Sequence, residues 1–191
     1  MKSAFLRSVP LLLAASLAAC ASGGGKRPAA GGLEVARFHL GEPVARAQIA
    51  VEPFDRADAN RPEFPAYAAA VGRQLSRLGW TVVPTTTGSE QIALIDLEQG
   101  SREAIAALSA ARIGRGVSPS PPAGSSAQVT ASLLEVAIRR RSDGTVFWEG
   151  RAVAEARTGS PEAARTAVVE RLAEALFRDF PGESGRTIRV R

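Results

Sequence analysis

Cysteine and histidine, two residue types that often act as nucleophile or general base, are scarce in this sequence. The 191 residues include one cysteine, Cys20, and one histidine, His39. A single thiol excludes an internal disulfide and a four-cysteine zinc site, and a single imidazole excludes sites built from several histidines. A serine hydrolase would need His39 beside an activated serine, yet no Gly-x-Ser-x-Gly elbow occurs. We therefore expect His39 to make a local hydrogen bond in a strand.

Two close pairs of carboxylates remain as candidates for acid–base chemistry. They are Glu52 with Asp55 and Asp96 with Glu98, and paired carboxylates are what glycosidases use. Such pairs at strands or strand ends are usually solvated, so we predict no catalytic, cofactor-binding or metal-binding residue. A carboxylate-dependent envelope hydrolase acting through Asp55 or Asp96 stays open as an alternative, as does the capture of a small ligand or lipid.

A run of three basic residues, Arg139-Arg140-Arg141, stands beside a predicted hairpin turn. Three fixed charges at one sheet end suit anionic lipid or glycan headgroups, although a solvated strand end is the more usual origin of such a run. The whole chain has a formal net charge of +5. Basic residues are spread along it and do not cluster between aromatics, which argues against nucleic-acid binding.

The beginning of the chain has the pattern of an export signal. Basic Lys2 and Arg7 precede an apolar run over residues 9–19, and Cys20 follows that run. The run is shorter than the roughly 20 residues of a membrane-spanning helix. We therefore predict a signal peptide over residues 1–19 that is removed before Cys20.

The residues before the cysteine, Leu17, Ala18 and Ala19, resemble the lipobox of bacterial lipoproteins. The resemblance implies that the Cys20 thiol receives a diacylglyceryl group, with palmitate-like chains, before cleavage. One acyl chain binds a bilayer marginally, whereas two or more hold a protein stably. By resemblance to the enterobacterial sorting rule, Ala21 in place of Asp favours the outer membrane, with the domain facing the periplasm.

Residues 20–32 are rich in glycine and alanine, which predicts a lipidated cysteine followed by a flexible linker. Residues 33–191 then form a single α+β domain. Its first strands are expected at residues 33–40 and 48–54, where β-forming residues are dense. Apolar residues at helical spacing predict a helix over residues 63–78, and two further strands follow at 80–84 and 91–97.

The second half of the domain contains a hairpin and a final helix. A short helix is expected at residues 102–111, followed by a loop to residue 127 that is rich in glycine, proline and serine. Asp143-Gly144 between two β-like runs predicts a hairpin of residues 129–140 and 146–158. Alternation assigns Val146 and Trp148 to the buried face of the second arm. Ser160 is expected to cap the last helix, and residues 187–190 to add an edge strand.

These elements predict an α+β fold in which a mixed or antiparallel sheet carries two helices packed on one face. Trp80 and Trp148 are then expected in the core. Trp80 follows a helix-ending glycine, and Trp148 lies on the apolar face of its strand.

Five stretches of the mature chain resemble bacterial lipoproteins that contain the domain of unknown function 4136. The resemblance implies an exported, lipid-anchored domain with no established activity, and it supplies no catalytic residue. Relatives often have a long glycine-rich loop before the hairpin, whereas residues 114–126 here are short and rich in proline and serine. The stretches are Arg37-Phe38-His39-Leu40-Gly41, Ile49-Ala50-Val51-Glu52-Pro53-Phe54, Leu78-Gly79-Trp80, Phe147-Trp148-Glu149-Gly150-Arg151-Ala152 and Leu176-Phe177-Arg178-Asp179-Phe180-Pro181-Gly182.

The sequence thus favours an outer-membrane lipoprotein with a non-enzymatic accessory or binding role in the cell envelope. The expected contacts are the membrane, through lipid on Cys20, and an envelope protein or polymer.

Overall fold

The structure, a computed structural model, describes residues 32–41, 43–85, 88–112 and 128–190. The predicted signal peptide with Leu17, Ala18 and Ala19, then Cys20 and most of the predicted linker, and residues 113–127 of the predicted loop all lie outside these ranges. The strands are β1 (Leu33–His39), β2 (Gln48–Pro53), β3 (Thr81–Val82), β4 (Gln91–Gly100), β5 (Val129–Arg140), β6 (Val146–Arg157) and β7 (Thr187–Val190). The helices are α1 (Phe64–Arg77), α2 (Arg102–Arg112) and α3 (Arg165–Phe177), with 3₁₀ turns at Arg56–Asn60 and Pro161–Ala163.

The seven strands form one mixed sheet in the order β3-β2-β4-β5-β6-β1-β7. β2 is parallel to both β3 and β4, and the other neighbouring pairs are antiparallel. The predicted α+β class is confirmed. β7 is the edge strand that the sequence predicted, and it pairs with the first half of β1.

Helices α1 and α3 lie side by side on one face of the sheet, which we call the inner face. α1 covers β2, β3 and β4, whereas α3 covers β1, β5 and β6. Between the helices and the sheet lies the main core, which includes Leu75, Leu134, Val136, Leu172 and Leu176. Two helices on one sheet face were predicted, because each helix has one apolar stripe that must be buried.

A third helix, α2, covers one end of the opposite, outer face, where it contacts β4 and β5. Its Ile105 packs against Ala131 and Leu133, with Leu108 and Val153 around them. Successive strand residues point to opposite faces, so Leu133 faces α2 while Leu134 faces the main core. The sequence predicted this helix but not the face on which it packs.

The β5–β6 hairpin forms as predicted, but a bulge changes which residues of β6 are buried. Ile138 pairs with Trp148, whereas Arg139 pairs with Val146, so Phe147 is the additional residue. A bulge of this kind reverses the alternation beyond it. Phe147 therefore packs against the main core, while Val146 is 43% exposed. The prediction that Val146 lies on the buried face was wrong for this reason.

The start of the last helix also differs from the prediction. Ser160 precedes the 3₁₀ turn Pro161–Ala163, and α3 begins only at Arg165, after Ala164 in an extended conformation. Gln99 Nε2 donates a hydrogen bond to the carbonyl of Ala163. This contact to β4 occupies a carbonyl that a continuous helix would have used internally, which separates the turn from α3.

Candidate functional site

Arg37 is almost fully buried, with 3% of its surface exposed, at the C-terminal end of α3. Its Nε donates to the carbonyl of Leu176, and its Nη2 donates to those of Ala175 and Arg178, over 2.8–2.9 Å. The last carbonyls of a helix lack internal donors and carry partial negative charge. The guanidinium therefore acts as a cap for α3, although burial lowers the pKa of Arg37.

His39 is fully engaged two residues further along β1. Its Nε2 donates to the carbonyl of Gly182, and its Nδ1 accepts from the backbone N–H of Gly41, each over 3.1 Å. A carbonyl can only accept, so the proton must be on Nε2. The local hydrogen bonding predicted for His39 is confirmed, and the ring ties β1 to the segment after α3.

Trp80 and Trp148 are both buried, as predicted. Trp148 stacks on Phe177 with ring centroids 5.3 Å apart, and its Nε1 donates to the carbonyl of Pro181. Trp80 meets the ring of Phe180 edge to face, and its Nε1 donates to Oε1 of Gln91 over 2.7 Å. Both indole N–H groups are thus satisfied inside the core, which argues for structural roles.

Three of the five stretches that carry the family resemblance meet at this place. Arg37 and His39 come from the first, Gly150 from the Trp148 stretch, and Gly182 from the last. A Cβ atom on Gly150 would lie 2.4 Å from Cη2 of Trp148, and one on Gly182 would lie 2.5 Å from Cδ of Arg37. The motifs therefore build a tightly packed corner around the end of α3.

The part of the outer face that α2 leaves uncovered forms a groove of about 930 Å³, which we call the outer groove. The two carboxylate pairs considered in the sequence analysis come together there in part. Asp55 of the first pair lines the groove, as do Asp96 and Glu98 of the second. Glu52 does not, since its Oε1 accepts a hydrogen bond from Arg141 Nη2 over 2.8 Å. The other lining residues are Phe54, Arg56, Asp58, Arg61, Glu135, Ala137, Val146, Glu149 and Arg151.

A buried ion pair forms the floor of the outer groove. Arg151 Nε lies 2.8 Å from Oε1 of Glu135, and Arg151 Nη2 lies 2.6 Å from Oε1 of Glu149. Glu135 is paired in register with Arg151 on one side and with Asp96 on the other. Sequence reasoning missed this pair. The signal was available, since Glu135 interrupts the apolar middle of β5 and pairs with Arg151 across the hairpin.

Neither groove nor core supplies an evident metal site. Within the described ranges there is no grouping of three or more His, Cys, Asp or Glu side chains that could hold a metal ion. None of the helices in the described part of the chain combines the length and the apolar character that crossing a bilayer requires.

A second concave site, the hairpin pocket, lies where the 40–47 segment passes the β5–β6 turn. It measures about 560 Å³ and includes Leu40, Val44, Phe147, Arg140 and Arg141 among its lining residues. Arg140 Nη1 is paired with Asp143 over 2.6 Å. Arg141 Nε donates to the carbonyl of Ser89 over 2.9 Å.

The three arginines of the predicted basic run do not share one site. Arg140 and Arg141 line the hairpin pocket, whereas Arg139 pairs with Val146 beyond the bulge and is half-buried. Contact of Arg139, Arg140 and Arg141 with an anionic surface stays a prediction.

Comparison with known proteins places the chain only at the level of the fold. The sequence matches no known protein-family model. An uncharacterised protein of Zymomonas mobilis is 24% identical over 212 aligned residues, which cover 83% of this chain and 80% of that protein.

Three solved structures align with this chain over most of its length. A PDZ domain protein from Parabacteroides distasonis aligns with a TM-score of 0.50 at 11% identity over 84% of this chain, and the chain spans 39% of that protein. A PelC dodecamer variant from Paraburkholderia phytofirmans gives 0.44 at 13% identity, covering 75% of this chain and 92% of that one. A lipoprotein from Neisseria meningitidis gives 0.37 at 15% identity, covering 68% and 94%. The first of these likenesses shows a shared fold alone.

Proposed function

We propose that this protein is a lipoprotein of the bacterial cell envelope that binds another envelope component and catalyses no reaction. One observation carries the proposal: the only cysteine of the chain directly follows Leu17-Ala18-Ala19 at the end of a basic and apolar leader. A diacylated cysteine would hold the domain at a membrane surface, because two acyl chains bind a bilayer stably. The tightly packed corner around Arg37 and His39 supports a structural use for the histidine.

Metabolic labelling with palmitate in the native bacterium tests the anchor. The wild-type chain should carry label and stay with the membrane fraction after a high-salt wash. Cys20→Ser should lose both the label and the membrane attachment, and Ser22→Ala, two residues away, should change neither. Label-free wild-type protein, or a Cys20→Ser variant that remains equally attached, would contradict the proposal.

The same proposal includes two finer statements. The protein lies at the outer membrane and faces the periplasm, and it belongs to the family with domain of unknown function 4136. Ala21 in place of Asp supports the outer membrane, and the convergence of three family-like stretches on the end of α3 supports the family. Separation of inner and outer membranes should recover wild-type protein in the outer fraction. Ala21→Asp should move it to the inner one if the enterobacterial rule applies, and an unchanged distribution would remove the support from Ala21.

A hydrolase is the second candidate, and the outer groove is the observation that favours it. Asp55 and Asp96, from different parts of the chain, line one groove of a size that small-molecule sites have. A hydrolase of peptidoglycan or lipid should lose turnover on Asp96→Asn while its membrane attachment persists. Unchanged cell-wall and lipid turnover in this variant and in Asp55→Asn supports the binding role instead.

A further inference from the structure

The hairpin pocket lies at the end of the sheet remote from the linker. β1 begins at Leu33, where the linker ends, and is followed at its other end by Leu40, which lines the pocket. The 7 residues of β1 separate these two points, which corresponds to about 23 Å at about 3.3 Å per residue. The linker from Ala21 to Gly32 has 12 residues. With Cys20 lipidated, as proposed above, the anchor joins the end of the sheet opposite the pocket.

One wall of the pocket is apolar and open to solvent. Leu40 is 62% exposed, the highest value among the large apolar side chains of the described chain. Val44 and Phe147 are half-buried beside it and pack against the main core. The β-bulge is what turns Phe147 towards this side, and bulges commonly re-aim a side chain next to a binding site.

The opposite wall contains the carboxylate of Glu90 and two guanidinium groups, which differ in how firmly they are held. Arg141 is fixed by Glu52 and by the carbonyl of Ser89. The side chain of Arg140 is 52% exposed, and its partner Asp143 is nearly as exposed. Exposed ion pairs contribute little to stability, so an incoming carboxylate can replace Asp143 at Arg140 with little loss.

We propose that the hairpin pocket binds an extended segment of a partner protein in which a large apolar side chain stands next to a carboxylate. The apolar side chain packs on Leu40, Val44 and Phe147, and the carboxylate pairs with Arg140 while Arg141 keeps the rim rigid. The partner approaches from the side remote from the anchor, because the linker joins the opposite end of the sheet. This inference rests on the proposed binding function and names the class of partner.

Peptide titration of the full-length lipoprotein in nanodiscs tests the pocket. The probes are two fluorescent peptides, acetyl-Gly-Ser-Leu-Asp-Ser-Gly-amide and the same peptide with Lys for Asp, followed by polarisation. We expect the Asp peptide to bind about fivefold more tightly, the size of one exposed ion pair. Arg140→Gln should abolish this preference, whereas Arg157→Gln, which removes an equal charge at the far end of β6, should preserve it.

The apolar wall has its own variant and its own contrary outcome. Leu40→Ser should weaken both peptides by a similar factor, because it removes apolar contact without changing charge. Equal affinity for the Asp and Lys peptides, or binding that both Arg140→Gln and Leu40→Ser leave unchanged, would overturn the proposal.

The orientation is tested with single engineered thiols, since the only native cysteine is Cys20. A fluorophore on Ser142→Cys should be quenched by lipid-borne quenchers less than one on Thr158→Cys, at the linker end of β6. Stronger quenching at Ser142 would place the pocket on the membrane and overturn the proposal in favour of a lipid headgroup. The peptide titration is repeated on Cys20→Ser in solution, where no acyl chain is needed, so its failure is distinct from failure of the anchor.

Discussion

The two faces of the sheet are built from the same strands but are covered in different ways. The inner face is apolar and aromatic, with Trp148 of β6 stacked on Phe177 at the end of α3. The outer face has an apolar end beneath α2 and a charged end where Arg151 joins Glu135 and Glu149. Burial of apolar surface stabilises the first, whereas a buried ion pair adds little net stability because its desolvation is costly. The comparison separates a face stabilised by apolar burial from a face whose uncovered part is charged.

Removal of the inner-face indole should have the largest effect on stability. Trp148→Ala deletes a fully buried ring and the hydrogen bond to Pro181. We expect the free energy of unfolding to fall by about 4 kcal/mol, the usual cost of such a truncation. Val146→Ala, two residues away on the exposed outer face, should cost about 0.5 kcal/mol or less. Urea denaturation of both variants measures the difference, and comparable losses would break the comparison.

The outer-face ion pair should respond to single and double changes in opposite ways. Arg151→Met leaves two carboxylates without this cation and should cost about 3 kcal/mol. Adding Glu135→Leu to the same variant should restore most of the stability, because the buried carboxylate no longer needs a counter-ion. Urea denaturation of both single variants and of the double variant, analysed as a double-mutant cycle, checks this. A loss of unfolding free energy in the double variant equal to the sum of the two single losses would contradict the expectation.

Arg37 sharpens the comparison, because it is a charge on the inner face. Arg37→Lys keeps the charge but cannot place donors at three carbonyls at once, since an ammonium lacks the planar fork of guanidinium. We expect a loss of about 2 kcal/mol in the free energy of unfolding. Faster hydrogen exchange at the last turn of α3 would identify the cap as the cause. Unchanged exchange there would show that only the charge of Arg37 matters.

The smallest effect is expected at the exposed hairpin turn. The backbone N–H of Thr145, and then Arg140, lower the pKa of Asp143. A carboxylate with a lowered pKa in the folded state stabilises that state above its ordinary pKa, near pH 4, and loses this effect as the pH falls through the lower value. Asp143→Asn should therefore reduce the melting temperature slightly at pH 7 and not at all at the acid end. A difference that persists at low pH would assign the effect to shape instead.

The strands and helices were predictable where the local pattern repeats without interruption. The apolar spacing from Phe64 to Leu75 places α1 within a residue or two of its observed bounds, and Asp143-Gly144 marks the hairpin. Prediction failed where a contact distant in sequence changed the local outcome. Gln99 binds the turn before α3, and the bulge opposite Arg139 exchanges the faces of Val146 and Phe147.

The candidate sites divide in the same way. Residue types and spacing alone give the single cysteine and the single histidine. They also predict the apolar leader before Cys20 and the local hydrogen bonding of His39. The outer groove does not, because Asp55 and Asp96 are 41 positions apart in the chain and meet only through the parallel pairing of β2 with β4. Glu135 and Arg151 were overlooked because a charge in a strand is normally assigned to solvent.

By itself the sequence determined the α+β class, the hairpin, the single histidine and the placement of both tryptophans in the core, because alternation, helical spacing and side-chain chemistry are local properties. Only the tertiary structure decided which face each strand presents beyond the bulge, where α2 packs, and that Arg37 caps a helix more than a hundred residues away. These outcomes depend on which segments lie next to one another, and desolvation and hydrogen-bond geometry act only once the segments have met.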